Sequence, residues 1–560
     1  MSKQLEVEKL NAEIERLKKE LKKRKKYGLV WEEKPEEVVE MCKEKLPVLK
    51  EVKNKEIITD KNKPVNLLIE GDNYHALSVL NYTHAKKVDV IYIDPPYNTG
   101  ARDWKYNNDY VDIEDAFRHS KWIAFMEKRL RLAKQLLKDS GFLIVTIDHN
   151  EIFNLGSICD EILGENNRVG LVTVVHNPKG RNLANFFSFN SEFMLVYARN
   201  VSKAKFRDIA IDDEVKQTFN LRDDEGYYRL TNFMRARTHS SRKMKPNFYY
   251  PIYVSADLQK MTLKRKKGYH EVLPITADGQ EMTWKTLPRT FDIRNQEKGY
   301  FVAQYERGRI QIFHKYREQQ VFKNVWTDKR YQSEFHGTNL LKDILGKTTF
   351  NYPKSLYAVE DILKITTNTN SIILDFFAGS GTTGHAVLEL NKEDGGNRHF
   401  ILCTNNENNI CTDVCYPRIK KVIEGYKNLK GEDVEGLGGN LKYFKTDFVD
   451  YDEPTDKNKI KLTKQATEML CVKEGTFEEV LDQKDFKVFK NANHYTGIIF
   501  DQAAISAFKK AIKDIKGKFS VYIFSLGDET FDDEFKDIKQ KVQLSPIPEA
   551  ILRVYRRIFK

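Results

Sequence analysis

Hydrophobic and polar positions along this chain fall into three textures. Near the amino terminus Val7, Leu10, Ile14, Leu17 and Leu21 recur at steps of three and four, with Glu and Lys between them. This spacing predicts an amphipathic helix over 1–26 with a short coiled-coil seam, suited to docking on a partner or on the rest of the chain. The run Lys22 to Lys26 closes it ahead of Gly28, a solvated basic helix end favoured by the macrodipole. From residue 64 short apolar runs alternate with helical patterns. Strands are expected at 66–70, 88–93, 142–147 and 193–197. A helix through Leu80 follows Gly71-Asp72-Asn73, and a long amphipathic helix is expected over 115–139, with Trp122, Phe125, Met126, Leu130, Ala133 and Leu137 on its apolar side and Gly141 as its stop. Alternation of this kind predicts an α/β fold with a mostly parallel sheet covered on both faces.

Residues 201–345 lose the alternation and become polar, basic and aromatic; it resumes at 371–375 and 399–402. One sheet interrupted by an inserted domain accounts for this better than two unrelated α/β domains. From about 430 short strands (497–500, 519–524) mix with charged helices. The expected division is a helical segment 1–26, a first core part 27–200, an insert 201–345, a second core part 346–430 and a C-terminal α+β domain 431–560 for dimerisation or partner binding.

Composition narrows the class. A chain of 560 residues exceeds one compact core, so roughly two to four domains are expected. Hydrophobic residues at 40% and charged residues at 31% describe a globular protein. No apolar run approaches the roughly 18 residues a membrane span needs, and the first residues do not resemble a signal peptide, so a cytoplasmic protein without membrane attachment is expected. Six cysteines are scattered, without the density of a disulfide framework or the paired spacing of a zinc site; Cys411 and Cys415 have helical spacing, and no metal is expected. The net charge of +12, from 93 Lys+Arg against 81 Asp+Glu, favours a polyanionic partner such as nucleic acid, although basic proteins generally share it.

Candidate chemistry concentrates in two places. In Ile93-Asp94-Pro95-Pro96-Tyr97-Asn98 a buried strand ends in an acid, two prolines and an aromatic ring, at the strand end where ligands bind in open α/β sheets. An exocyclic amine here could donate one hydrogen to the Asp94 carboxylate and the other to the Pro95 carbonyl, while Tyr97 stacks on a base turned out of its duplex. A plain proline turn capped by Asp is the alternative. The second place is Asp375-Phe376-Phe377-Ala378-Gly379-Ser380-Gly381-Thr382-Thr383-Gly384, a strand, glycine loop and helix start. Glycines admit close approach of a ligand, and no Gly-Lys-Ser/Thr ending follows, so the ATPase phosphate loop is not matched. The Gly-x-Gly-x-x-Gly spacing of Gly379, Gly381 and Gly384 also occurs at dinucleotide sites; the preceding Asp-Phe-Phe-Ala and the Asp94 loop argue against that.

Together the two loops resemble those of DNA amino-methyltransferases, and their order along the chain resembles the β group of that class. The resemblance implies a Rossmann-like, S-adenosylmethionine-dependent methyltransferase core with an inserted target-recognition domain. It gives Asp94, Pro95, Pro96 and Tyr97 to catalysis. It gives Asp375, Phe377, Gly379, Ser380, Gly381 and Thr382 to the donor site, with Lys354 and Ser355 toward the methionine carboxylate, Asp72 and Asn73 toward the donor's adenine, and Glu407 toward its ribose. The helix, the 26–31 segment, the insert and the tail 545–552 resemble the modification (Mod) subunits of type III restriction–modification systems. That implies double-stranded DNA as substrate, a homodimer, and a restriction subunit as a further partner. Arg235, Arg237, Arg242, Lys243 and Lys245 are the candidate DNA contacts, each equally consistent with a solvated charge. Adenine N6 is the expected target, because Asp rather than Ser opens the loop. Cytosine N4, an RNA or protein substrate and a non-catalytic DNA-reading subunit are the competing readings. No Pro-Cys pair exists to supply the nucleophile of cytosine-C5 chemistry.

Overall fold

The computed structural model describes residues 34–559, apart from 61–62, 108, 181–185, 210–212, 225, 238, 298, 318–321, 348–349, 452–454, 493, 528 and 530. The helix expected at 1–26 and the 26–31 segment lie outside the described residues. Two compact units emerge, one formed by residues up to Phe206 and from Lys323 onward, the other by Arg207–Phe322.

The first unit is built on an eleven-stranded sheet. In chain order its strands are β1 (Lys45–Glu51), β2 (Ile57–Ile58), β3 (Val65–Glu70), β4 (Val88–Ile93), β5 (Leu137–Ile147), β6 (Arg168–Val175), β7 (Ser191–Ala198), β8 (Val325–Trp326), β9 (Ile372–Asp375), β10 (His399–Thr404) and β11 (Asn440–Asp450). Their spatial order is β1-β11-β3-β10-β9-β4-β5-β7-β6-β8, with β2 also on β11. From β11 to β5 all neighbours are parallel, and the first antiparallel pairs are β1 with β11 and β5 with β7. Strands β3, β4 and β9 are almost wholly buried because helices cover both faces, which is why their sequences read as unbroken apolar runs. The covering helices include α1 (Asn73–Thr83), α2 (Arg118–Leu136), α3 (Ile152–Leu163), α4 (Leu356–Thr366), α5 (Thr382–Asp394) and α6 (Tyr416–Glu424).

Strand β9 lies between β10 and β4, with Ile373 opposite Val90 on one side and Phe400 on the other. Residues far apart in the chain, on either side of the second unit, thus form one sheet. The carboxyl ends of β3, β10, β9, β4 and β5 share an edge.

The structure departs from the sequence reading at three boundaries. Helix α2 stops at Leu136, and Gly141 lies inside β5 rather than ending the helix; a Cβ there would meet the Asp89 carbonyl oxygen at 2.9 Å, so close strand packing demands the glycine. Residues 323–345 belong with the first unit, because β8 pairs parallel with β6 and buries Trp326. The stretch 431–560 is not separate: β11 is a strand of the main sheet, and the helix Glu549–Ile558 packs Ile551, Leu552 and Tyr555 into the main core. Between them a five-stranded sheet runs in sequence order from Glu478–Asp482 to Val542–Ile547.

The second unit holds a four-stranded antiparallel sheet (Leu221–Asp223, Gly226–Asn232, Arg309–Arg317, Phe301–Glu306 in that order) and smaller two- and three-stranded sheets. Its aromatic core includes Phe233, Tyr250, Trp284, Phe291 and Phe301. Among the described residues no helix is long and apolar enough to cross a membrane. All six cysteines are free and buried.

Candidate active site

Strand β4 ends at Ile93 and delivers Asp94 to the carboxyl edge of the sheet. Its carboxylate is fixed from two sides. Thr146, near the end of the neighbouring β5, donates to Oδ1 at 2.6 Å, and the Lys354 ammonium lies 3.0 Å from Oδ2. Lys354 also reaches Glu192 Oε2 at 3.2 Å, and Tyr97 donates its hydroxyl to the same oxygen at 2.8 Å. The ammonium stands 4.6 Å from the centroid of the Tyr97 ring. Burial raises the pKa of Asp94 against the pull of Lys354, while at Glu192 burial, the largest single influence, is overcome by Lys354, His176 and the Tyr97 hydroxyl acting together, and the pKa is lowered. The two carboxylates hold Lys354 firmly in its charged form.

The loop backbone is pinned just behind these groups. Trp122 on α2 donates to the Pro96 carbonyl at 2.7 Å. Asn98, with φ +57° and no exposure, accepts from Trp104 Nε1 at 3.0 Å and donates to Glu151. The Pro95 carbonyl receives no hydrogen bond among the described residues, and no proline N–H competes for it. An anionic oxygen, an open carbonyl and an aromatic ring therefore sit on one rigid turn.

On the adjacent strand β9, Asp375 is buried, accepting from the Phe377 amide at 2.9 Å and from Thr383 Oγ1 at 2.5 Å. Burial raises its carboxyl to about 7. Gly379 and Gly381 have φ of +50° and +79°, and Gly381 is the N-cap of α5. A Cβ on Gly379 would meet the Phe350 ring at 3.4 Å, and one on Gly381 would meet Cys415 Sγ at 3.2 Å. The loop is thus bare backbone bent through left-handed geometry at a helix start.

Of the other residues assigned to the donor site, some face that edge and some do not. Asp72 caps α1 through the Tyr74 amide at 2.7 Å, and Asn73 donates to the Phe376 carbonyl at 3.1 Å, tying the β3 loop to the glycine loop. Buried Arg129 holds both, donating to Asn73 and lying 3.5 Å from Asp72, and is itself clamped bidentately by Glu36 at 2.6 and 3.1 Å. Glu407 lies just past β10 and pairs with Lys105 at 2.7 Å, whereas Asn406 spends its oxygen capping the following turn at Cys411 and Thr412. Three side chains are committed elsewhere: Ser380 and Thr382 accept from buried Arg418 at 3.1 and 2.8 Å, and Ser355 donates to the Arg330 carbonyl. Lys354 pairs with Asp94 and Glu192. The sequence reading missed Thr146, Glu192, Arg129 and Arg418. Glu192 carried one faint signal, an acid opening an apolar run, but its position became meaningful only once β7 paired antiparallel with β5 and put it at the same edge.

In the second unit Arg237 and Lys243 are exposed, and Lys245 is half-buried. Arg235 donates to the Lys285 carbonyl at 3.2 Å. Lys285 is lowered by burial and by the nearby Arg235, Arg237 and Arg229, which marks a concentrated positive surface. Arg242 is already paired with Glu281 at 2.8 Å and is correspondingly less available.

A DNA methylase family model matches residues 88–414, a span containing both loops and the whole second unit. The Mod subunit of the type III restriction-modification enzyme EcoPI, from Escherichia phage P1, is 32% identical over 378 residues, covering 61% of this chain and 58% of that protein. The type II methyltransferase M.KpnI of Klebsiella pneumoniae is 30% identical over 383 residues, 68% of this chain and 88% of that protein. The chain therefore spans less than two thirds of the type III relative and most of the type II one. The crystal structure of the M1.HpyAVI-SAM complex overlaps 63% of this chain and 98% of its own at 16% identity and a TM-score of 0.30. With more than half its length inside the family match, and with the Asp94 and Asp375 loops on adjacent strands, the chain belongs to the DNA methylase family.

Proposed function

We propose that this protein is an S-adenosylmethionine-dependent methyltransferase acting on the N6 amine of adenine in duplex DNA, as the modification and specificity subunit of a type III restriction–modification system. The observation that carries this reading is the adjacency of β4 and β9, which brings the Asp94 turn and the Asp375 glycine loop to one edge of the sheet. Acids at successive strand ends (Asp72, Glu407, Asp375, Asp94) suit a donor bearing an ammonium, a sulfonium and ribose hydroxyls, and the bare backbone at Gly379 and Gly381 admits it closely. Asp72, Asn73, Asp375, Phe377, Gly379, Gly381 and Glu407 would hold it. When bound, the donor supplies a methyl group activated by its sulfonium charge.

The remaining work falls to residues of this chain. The base leaves its stack and lies against Tyr97. Asp94 accepts one amine hydrogen and the Pro95 carbonyl the other, so the nitrogen lone pair turns from the ring toward the methyl group. Thr146 holds Asp94 in register for that contact. As the carbon–nitrogen bond forms and the methyl–sulfur bond breaks, leaving its electron pair on sulfur, the amine gives up a proton, and Asp94, whose pKa burial has raised, can accept it and pass it to water. The second unit supplies phosphate contacts from the surface around Lys285, including Arg235, Arg237, Lys243 and Lys245. The name of the modification-subunit relative fits a restriction subunit as partner; a second copy of the chain is proposed on the sequence resemblance alone, and cellular DNA as substrate implies the cytoplasm.

The test is product identity. The protein is incubated with methyl-labelled S-adenosylmethionine and mixed-sequence duplex DNA, and the digested nucleosides are separated. N6-methyladenine is expected. N4-methylcytosine would keep the chemistry and overturn the choice of base; donor binding without labelled DNA would overturn the reading.

A further inference from the structure

Lys354 stands in the two places a target base would need. Its ammonium lies on Asp94 Oδ2 while Thr146 occupies Oδ1, and it also stands over one face of the Tyr97 ring. A carboxylate oxygen can accept a second hydrogen bond, but an ammonium beside it would crowd the incoming amine and neutralise the charge that polarises it. Expelling Lys354 into the pocket unpaired would strand a desolvated cation. Glu192 removes that difficulty. It already touches Lys354 at 3.2 Å and accepts from the Tyr97 hydroxyl at 2.8 Å, so a small swing of the lysine stem moves the ammonium off Asp94 without leaving it unpaired.

We infer that Lys354 is a placeholder for the target amine in the free protein, and that Glu192 is the positioning residue that receives it when the base enters. The inference rests on the reading of this site as a base-amine methyltransferase. It replaces the expectation that Lys354 binds the donor's carboxylate. Glu192 gains two roles, anchoring Tyr97 in both states and holding Lys354 in the second.

The test combines donor affinity with single-turnover methylation in wild type, Glu192→Gln, Lys354→Met and the double variant, with melting curves to confirm folding. Donor affinity of Lys354→Met should stay within about twofold of wild type, and a loss of about tenfold or more would return Lys354 to the donor site and overturn the inference. Glu192→Gln should slow single-turnover transfer by about a hundredfold, because Lys354 then loses the second carboxylate it already touches, and removing Lys354 as well should restore at least about tenfold of that loss. Losses that multiply in the double variant would mark a merely structural role and overturn it. Should Glu192→Gln fail to fold, the rate–pH profiles of Lys354→Met decide: with Glu192 and Asp375 still facing Asp94, loss of the cation should move the kcat/KM profile, which reports the free protein, in the alkaline direction, while the single-turnover profile at saturating DNA, where the base has already displaced Lys354, should move less; equal shifts in both would overturn the inference. A wild type that labels no base, despite binding the donor, overturns the functional reading and this inference with it.

Discussion

Asp375 is a buried carboxyl that folding makes harder to ionise, from an ordinary 3.8 to about 7, because the strand end and glycine loop exclude water from it. A raised carboxyl pKa favours the protonated folded state, so its contribution to stability is fully present below about 4 and fades as pH rises toward 7. A donor carrying positive charge prefers the ionised form, so donor affinity should strengthen across the same window, by at most about tenfold per pH unit, and level off above 7. Titration calorimetry from pH 5.5 to 8.5 checks this, and Asp375→Asn should flatten the profile. At this scale the sequence was legible where chemistry is local. Asp94, Pro95, Tyr97 and Asp375 sit in contiguous motifs whose backbone needs are written in prolines and glycines. Thr146 and Glu192 were not, because a side chain's relevance there depends on which strands become neighbours. Ser380 and Thr382 sit in the right loop, but Arg418, from a helix beginning more than thirty residues later, claims their hydroxyls.

The elements that hold the site explain why distant glycines matter to it. Gly337 lies in a short helical turn, Glu334–Asn339, against the segment that carries Lys354; a Cβ there would come within 2.2 Å of the Pro353 carbonyl oxygen and 3.1 Å of that of Lys354. Gly337→Ala must therefore displace that backbone. It should cost about 1–3 kcal/mol of stability and disturb the Lys354–Asp94 pair, altering the methylation rate while the donor loop remains intact. Thermal melting alongside donor affinity separates the two effects; an unchanged melting temperature and rate would contradict the packing described. The parallel strands themselves were readable as apolar runs. Their edges were less so: Gly141 looked like a helix stop because a glycine demanded by the nearby Asp89 carbonyl carries the same letter as one that ends a helix.

For the whole molecule, the interruption of one sheet by a second unit was visible as a change of texture, and the unit's limits at Arg207 and Phe322 fall inside the expected 201–345 because β8 is claimed by the main sheet. The unit's positive surface should make DNA binding steeply salt-dependent. Reversing Arg237 and Lys243 together should weaken binding uniformly across sequences and reduce the log–log salt slope by about one per lost phosphate contact, whereas Arg242→Ala should do less because Glu281 already pairs with it. Equal slopes for wild type and the double reversal would remove this surface from the DNA path. All of these expectations depend on Asp94 activating the amine. The most direct measurement is single-turnover methyl transfer by Asp94→Ala and wild type, with donor affinity determined on the same preparations. A loss of about a thousandfold or more in transfer, with donor affinity retained, is the predicted result. Transfer at the wild-type rate by Asp94→Ala would contradict the account.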